Sequence, residues 1–153
     1  MITMQGQDGP VDILLVEDNA SHAELVIRSL GEHRLTKNIH HVADGEAALD
    51  FLFQRGVYGD PDRYPQPQLV LLDLRLPKID GLEVLKEIRE SDRLQRIPVV
   101  ILSTSYAEPD VGKAYDYHAN SYLVKPLDFE QFTKLMNDLG FYWLGWNHYP
   151  WQS

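Results

Sequence analysis

Five polar residues each stand at the end of a short apolar run, and their types suit metal and phosphoryl chemistry. They are Glu17, Asp18, Asp73, Ser103 and Lys125. In an open parallel sheet, ligands bind at the carboxyl ends of the strands, which lie at one edge. If the apolar runs are strands of such a sheet, three carboxylates, one hydroxyl and one ammonium share a pocket. Any one of these residues alone would be an ordinary polar residue at the end of a strand. All five at one edge favour a functional site.

Clustered carboxylates repel one another unless a cation lies among them, which predicts a metal site. Mg²⁺ suits this set because it prefers oxygen ligands and takes few carboxylates besides water and phosphate oxygens, and Mn²⁺ accepts the same ligands. Zinc is disfavoured because the chain has no cysteine and its adjacent His40 and His41 would point to opposite faces of a strand. We interpret both histidines as structural or surface residues.

With a metal bound, one carboxylate can attack a phosphoryl group and become an acyl phosphate. Asp73 is the best candidate because it follows the most apolar run, which predicts the most central strand. Glu17 and Asp18 then serve as metal ligands beside Asp73. Lys125 is predicted to bind phosphate as a point charge, and Ser103 to donate a hydrogen bond to a phosphoryl oxygen.

The apolar runs alternate with stretches of helical spacing, which predicts an α/β fold of five βα units. The run from Asn38 is the weakest, so we expect that strand to be less buried. A helix is predicted over about 109–118, and the last helix opens at Asp128 with Gln131 at capping-box spacing. That helix is expected to bury Phe129, Phe132, Leu135, Met136 and Leu139. The predicted strands are Val11–Val16, Asn38–Val42, Leu69–Leu72, Pro98–Leu102 and Tyr122–Val124.

Length and composition limit the class of protein. A chain of 153 residues with 44% hydrophobic and 24% charged residues is expected to form one compact domain, here over 11–140. Its net charge of −9 opposes binding to nucleic acid. Residues 1–10 are expected to be flexible and lack the features of a signal peptide, and no apolar run approaches the roughly 18 residues of a membrane span. We therefore predict a cytoplasmic protein without a nucleic-acid or membrane partner.

Four motifs resemble the receiver domain of two-component response regulators over about residues 11–140. They are LLVEDN (14–19), LVLLDLRLPKIDG (69–81), VVILSTS (99–105) and YLVKP (122–126). The resemblance implies a doubly wound (βα)5 flavodoxin-like sandwich with a five-stranded parallel sheet in the order 2-1-3-4-5. It also implies that Asp73 accepts phosphoryl from a phosphohistidine of a sensor kinase. Glu17 and Asp18 match the metal-binding acidic pair, and Arg75 matches the position whose backbone carbonyl is a further metal ligand.

The same resemblance assigns the switch. Ser103 matches the switch hydroxyl, Tyr122 the switch aromatic and Lys125 the phosphate-contacting lysine, while Pro126 matches a proline usually preceded by a cis bond. Phosphorylation of Asp73 is expected to move Ser103, change the rotamer of Tyr122 and remodel the face of helix four, strand five and helix five. The output is then binding to another protein.

Three positions depart from the commonest receiver pattern. Thr104 replaces a small alanine and can narrow access to the phosphoryl site. Arg75 can put a long cationic side chain over the pocket, which leaves the rate of dephosphorylation open. His118 stands where glycine is frequent, and its role is open.

Two segments outside the βα pattern resemble those of small regulators that partner phytochrome-type kinases. Two interpretations of the insertion 54–68 have equal weight. In one, exposed Tyr58 and Tyr64 are anchors by which the kinase docks; in the other, the insertion is a loop without a partner. For the aromatic extension 141–153, a homodimer interface is favoured over packing of the extension against its own domain. The interface residues are predicted to be Phe141, Tyr142, Trp143 and Trp146.

The preferred hypothesis is therefore a phosphoacceptor signalling protein and not an enzyme, apart from its own phosphoryl transfer and autodephosphorylation. One alternative is an aspartyl-phosphate phosphatase of haloacid-dehalogenase type. Such enzymes carry a general-acid aspartate two residues after the nucleophile, where this chain has Arg75. Another alternative is a receiver that no longer cycles phosphate and acts as a scaffold.

Overall fold

The computed structural model describes residues 10–105 and 107–146 and contains one five-stranded parallel sheet. The strand order is β2-β1-β3-β4-β5, which confirms the predicted fold class. The strands are β1 (Val11–Val16), β2 (Thr36–Val42), β3 (Leu69–Leu72), β4 (Val99–Ser103) and β5 (Ser121–Val124). Strands β1, β3 and β4 are buried throughout and occupy the centre, whereas the edge strand β2 is partly exposed, as its mixed sequence predicts.

Within the residues that the structure describes, five α-helices cover the two faces of the sheet. They are α1 (Ala20–Gly31), α2 (Gly45–Leu52), α3 (Gly81–Glu90), α4 (Glu108–Asp116) and α5 (Phe129–Gly140). Side chains of β1 alternate between two cores, with Leu14 and Val16 facing α2, α3 and α4, and Ile13 and Leu15 facing α1 and α5. This alternation explains why the central strands are apolar at every position.

Polar side chains fix where several helices begin. Asn19 Oδ1 accepts a hydrogen bond from His22 N at 3.0 Å and starts α1 directly after Glu17 and Asp18. Asp128 caps α5, but its carboxylate accepts from Glu130 N at 2.7 Å and not from Gln131. The helix caps thus set the path of the chain immediately after the strand ends.

The prediction that Phe129 is buried was wrong, since 56% of it is exposed. Phe132, Met136 and Leu139 of the same helix are buried against the sheet, as predicted. Phe129 lies in the first turn and lines a groove of about 450 Å³ between α1 and α5, together with Leu25. Helical spacing alone does not reveal where a helix extends past the core.

His118 lies just beyond α4 in the left-handed region, with φ of 62°. Its N–H donates to Tyr115 O at 2.9 Å, and Ala119 N donates to Ala114 O at 2.9 Å, so this turn ends the helix. Glycine is favoured at such a position because it has no Cβ to clash there. His118 therefore ends α4, a role that the sequence left open.

The insertion 54–68 packs back onto the domain. The rings of Tyr58 and Tyr64 meet edge to face at 5.1 Å between centroids, and they contact Phe51 at 5.3 and 5.9 Å. The ring of His40 on β2 contacts that of Phe51 at 5.1 Å between centroids, tilted by 47°, which makes His40 a structural residue, as predicted. The docking alternative took both tyrosines to be exposed, whereas this cluster half-buries them.

The aromatic extension divides between core and surface. A π-helix over Phe141–Trp146 continues from α5. Trp143 and Leu144 are buried in the core beneath α1 and α5, so Trp143 packs within its own domain rather than at an interface. Phe141 and Tyr142 are 63% and 56% exposed. The side chain of Trp146 and residues 147–153 lie outside the described part of the chain. In the part described, no helix is long and apolar enough to cross a membrane.

Candidate functional site

The three predicted carboxylates meet at the carboxyl edge of the sheet. Strands β1 and β3 pair with Val16 opposite Leu72, so the residues that follow them leave the sheet side by side. Oxygens of Glu17, Asp18 and Asp73 all lie within 4.8 Å of one another. Glu17 and Asp73 are buried, and Asp18 is exposed. This convergence was predicted from the strand ends alone.

Lys125 places its ammonium between the two buried carboxylates. Its Nζ lies 2.5 Å from Glu17 Oε1 and 3.0 Å from Asp73 Oδ2. A third partner is His22 Nδ1 at 3.1 Å, so all three ammonium donors are occupied. Sequence analysis missed His22, because its position in the first turn of α1 gives no signal of proximity to the end of β5. The Lys125 backbone N–H donates to Ser103 O at 2.8 Å, which joins β5 to β4 at this edge.

Burial raises the pKa of Glu17 from 4.5 to about 7, although the hydrogen bond and charge of Lys125 oppose this shift. The backbone N–H of Asn19 also donates to Glu17 Oε2, at 3.1 Å. In the metal-free protein the Glu17 carboxyl group therefore holds its proton to a higher pH than an ordinary glutamate does. A cation placed among these oxygens would favour the ionised form.

Metal affinity is expected to fall as the pH decreases below about 7, because binding must displace the proton from Glu17. Each further pH unit should weaken binding by up to about tenfold. Titration with Mn²⁺, following the electron paramagnetic resonance signal of the free ion across this range, measures the effect. Glu17→Gln should bind more weakly and with little pH dependence. A wild-type affinity that is constant across this range would contradict the prediction.

The two predicted switch residues, Ser103 and Tyr122, lie at the same edge of the sheet. Ser103 is fully buried at the end of β4, and its Oγ accepts a hydrogen bond from Ser105 N at 3.2 Å. Tyr122 on β5 is half-buried, and its hydroxyl donates to Ser105 O at 2.7 Å. The turn after β4 thus contacts both predicted switch residues. Thr104 is exposed, and its effect on access stays a prediction.

The side chain of Arg75 does not lie over Asp73. Its guanidinium pairs with Asp110 in the first turn of α4, while its backbone N–H donates to Asp73 Oδ1 at 3.3 Å. Asp110 also accepts from Ser105 Oγ at 2.6 Å. The Ser105 hydrogen bond, followed by the charge of Arg75, holds the pKa of Asp110 below its ordinary value. The expectation that Arg75 covers the pocket therefore fails, because a nearby carboxylate holds its side chain aside.

The predicted cis bond between Lys125 and Pro126 was wrong. Residues 10–105 and 107–146 contain no cis peptide bond. The trans form is the lower-energy one for most X–Pro bonds, by about 0.5–1 kcal/mol.

The donor set fits a hard divalent cation. Three carboxylate oxygens from two adjacent strand ends form the cluster, and such oxygens suit Mg²⁺ or Mn²⁺. Lys125 and His22 complete a site that combines an acidic pair, a buried aspartate and a lysine on a parallel α/β fold. This combination could hold a divalent cation and a phosphoryl group at the same edge of the sheet.

The chain belongs to the response regulator receiver domain family, whose model matches residues 13–137. It is 48% identical over 143 residues to the probable methanogenesis regulatory protein FilR2 of Methanothrix harundinacea, covering 94% of this chain and 90% of that protein. It is 42% identical over 135 residues to the response regulator Rcp1 of Synechocystis, covering 88% and 90% respectively.

Two solved structures share the whole fold. The Mn²⁺-bound form of Rcp1 matches with a TM-score of 0.86 at 41% identity, covering 92% of this chain and 99% of that one. The phosphorylated cyanobacterial phytochrome response regulator RcpA matches with a TM-score of 0.88 at 38% identity, covering 93% and 99%. The protein is thus a response regulator similar to regulators of phytochrome signalling.

Proposed function

We propose that Asp73 accepts a phosphoryl group from the phosphohistidine of a sensor histidine kinase of phytochrome type, in the cytoplasm. The observation that carries this proposal is the position of the Asp73 carboxylate. It lies 3.0 Å from the Lys125 ammonium and within 4.8 Å of oxygens of Glu17 and Asp18. Mg²⁺ would be held by these three carboxylates and by the backbone carbonyl of Arg75.

The proposed transfer forms one bond and breaks one. An Asp73 carboxylate oxygen attacks phosphorus, the phosphorus–nitrogen bond of phosphohistidine breaks, and its electron pair stays on the imidazole nitrogen. The Lys125 ammonium leaves its contact with Asp73 and binds a phosphoryl oxygen instead. The Ser103 hydroxyl donates a hydrogen bond to a second phosphoryl oxygen. When bound, the cation would neutralise negative charge on the oxygens of the phosphoryl group as it is transferred.

The proposed output is protein binding through the face formed by α4, β5 and α5. Exposed apolar side chains lie on these elements and on the loop between β5 and α5: Tyr115, Val124 and Leu127, which is 99% exposed. Movement of Ser103 toward the phosphoryl group would change the turn at Ser105, to which the Tyr122 hydroxyl is bonded. A change of Tyr122 rotamer would then alter this face.

Intact mass after incubation with acetyl phosphate and Mg²⁺, with and without EDTA, tests the phosphoacceptor proposal. We expect a gain of one phosphoryl group that EDTA prevents. A chain that gains none from acetyl phosphate, and none from any histidine kinase of its source, would instead be the non-cycling scaffold. The phosphatase alternative has no supporting observation, since Arg75 stands at its general-acid position and the chain is a receiver.

The kinase assignment is tested by phosphotransfer. RcpA is a phytochrome regulator, whereas FilR2 is a probable methanogenesis regulator, so the relatives differ in the signal they serve. Phosphoryl transfer from an autophosphorylated phytochrome-type kinase is expected to be faster than from other histidine kinases of the same source. Equal or slower transfer from the phytochrome-type kinase would contradict this assignment.

We further propose that the domain over 11–140 forms a homodimer through the extension 141–153. Phe141 and Tyr142 carry the exposed aromatic area of the described part of this extension, since Trp143 is buried. Large exposed apolar side chains that lie together are typical of interfaces.

The double variant Phe141→Ser, Tyr142→Ser is expected to be monomeric at concentrations where the wild-type protein is dimeric, because it removes the aromatic contact area. Light scattering of phosphorylated and unphosphorylated samples measures the mass. Val57→Ser is the matched control, since Val57 is 80% exposed in the insertion and away from the extension. A wild-type monomer in both states, or an unchanged dimer in the double variant, would exclude this interface.

A further inference from the structure

Asp110 joins two loops of the phosphorylation site. Its carboxylate accepts hydrogen bonds from the Arg75 guanidinium and, at 2.6 Å, from Ser105 Oγ. The Asp110 side chain is 12% exposed, whereas that of Arg75 is 61% exposed. Because Asp110 is largely buried and fixed by a second bond, it holds Arg75 more firmly than an isolated surface ion pair would.

Arg75 starts from a position beside the acceptor. Its backbone N–H donates to Asp73 Oδ1 at 3.3 Å, so its side chain begins at the edge of the pocket. A guanidinium group carries five donors in a planar array that matches phosphate oxygens. A phosphoryl group on Asp73 would therefore compete with Asp110 for the Arg75 side chain.

We propose that Asp110 is a positioning residue that holds Arg75 aside and thereby keeps phosphorylated Asp73 open to hydrolysis. This inference rests on the proposed function of Asp73. In hydrolysis, water attacks phosphorus and the bond from phosphorus to the Asp73 oxygen breaks. The electron pair returns to the carboxylate, and inorganic phosphate leaves as the proton of water passes to solvent. A guanidinium over the phosphoryl group occupies the side from which water must arrive.

The experiment compares phosphoryl lifetimes by intact mass after acetyl phosphate is removed. Asp110→Asn is expected to lengthen the lifetime about tenfold, the scale of one charge-assisted hydrogen bond. In an Arg75→Ala background, Asp110→Asn is expected to change the lifetime by less than about twofold, because no guanidinium remains to be released. Asp116→Asn, an exposed residue at the end of the same helix, is the matched control.

A lifetime of Asp110→Asn that equals or falls below the wild-type lifetime would overturn the inference. So would a lengthening that persists in the Arg75→Ala background, since that pattern indicates a general disturbance of α4. Ser105→Ala, which removes the second bond to Asp110, should give a smaller lengthening in the same direction and serves if Asp110→Asn does not fold. If the wild-type protein gains no phosphoryl group from acetyl phosphate, an autophosphorylated histidine kinase of its source is used as the donor instead. No gain from either donor overturns the proposed function, whereas phosphorylation with unchanged lifetimes rejects this inference alone.

Discussion

Asp73→Asn is expected to reduce phosphoryl incorporation from acetyl phosphate by more than about a hundredfold, to background, because an amide is not a nucleophile toward phosphorus. The substitution keeps the size of the side chain, and the new amide would still offer its oxygen to Lys125 Nζ, which lies 3.0 Å from Asp73 Oδ2 in the wild-type protein. The fold should therefore survive. Intact mass with Mg²⁺ measures incorporation, and urea unfolding verifies that the variant is folded.

The matched control is Asp80→Asn. Asp80 is an exposed aspartate in the same loop, directly before α3, and its side chain makes no capping hydrogen bond. This variant should be phosphorylated like the wild-type protein. Incorporation by Asp73→Asn at the wild-type level would mean that another residue is the acceptor, and peptide mapping of the modified protein would identify it.

Gly81→Ala is expected to lower the free energy of unfolding by about 3 kcal/mol, the upper range for overpacking. A Cβ at Gly81 would lie 2.2 Å from Asp73 O and 2.7 Å from Leu74 Cα. Both are backbone atoms, so no side-chain rotation can relieve the clash. The Gly81 N–H donates to Leu74 O at 2.9 Å, which brings the start of α3 against the loop that carries the acceptor. Urea unfolding measures the loss.

Gly112→Ala is expected to have the opposite effect on the free energy of unfolding. Gly112 lies inside α4, and a Cβ there meets nothing within 4 Å. Alanine should therefore raise the free energy of unfolding by about 0.5–1 kcal/mol through its higher helix propensity.

Equal unfolding midpoints for Gly81→Ala and wild type would contradict the prediction for Gly81 and would show that the loop after Asp73 can shift to admit a methyl group. In that case the close approach of α3 is not required for folding.

The α/β class and the centre of the site were accessible from the sequence because both depend on local patterns, whereas the strand order was implied by the resemblance to receiver domains. Apolar runs that end in polar residues mark parallel strands, and the ends of such strands share one edge of the sheet. Glu17, Asp73 and Lys125 follow three of these strands, so their convergence required only the strand assignments. Strands β1 and β3 were predicted at their observed residues, and the bounds of the other three strands differ by one or two residues.

The tertiary structure alone decided which way individual side chains turn. The contact of His22 with Lys125 joins residues 103 positions apart, and the pairing of Arg75 with Asp110 joins residues 35 apart. Neither contact follows from a periodic pattern, because each depends on how a helix packs on the sheet. The same holds for the extension, where Trp143 is buried and its neighbour Tyr142 is exposed. The sequence by itself determined the strands and the residues at their ends, since periodicity is local, whereas side-chain partners depend on the packing of distant elements.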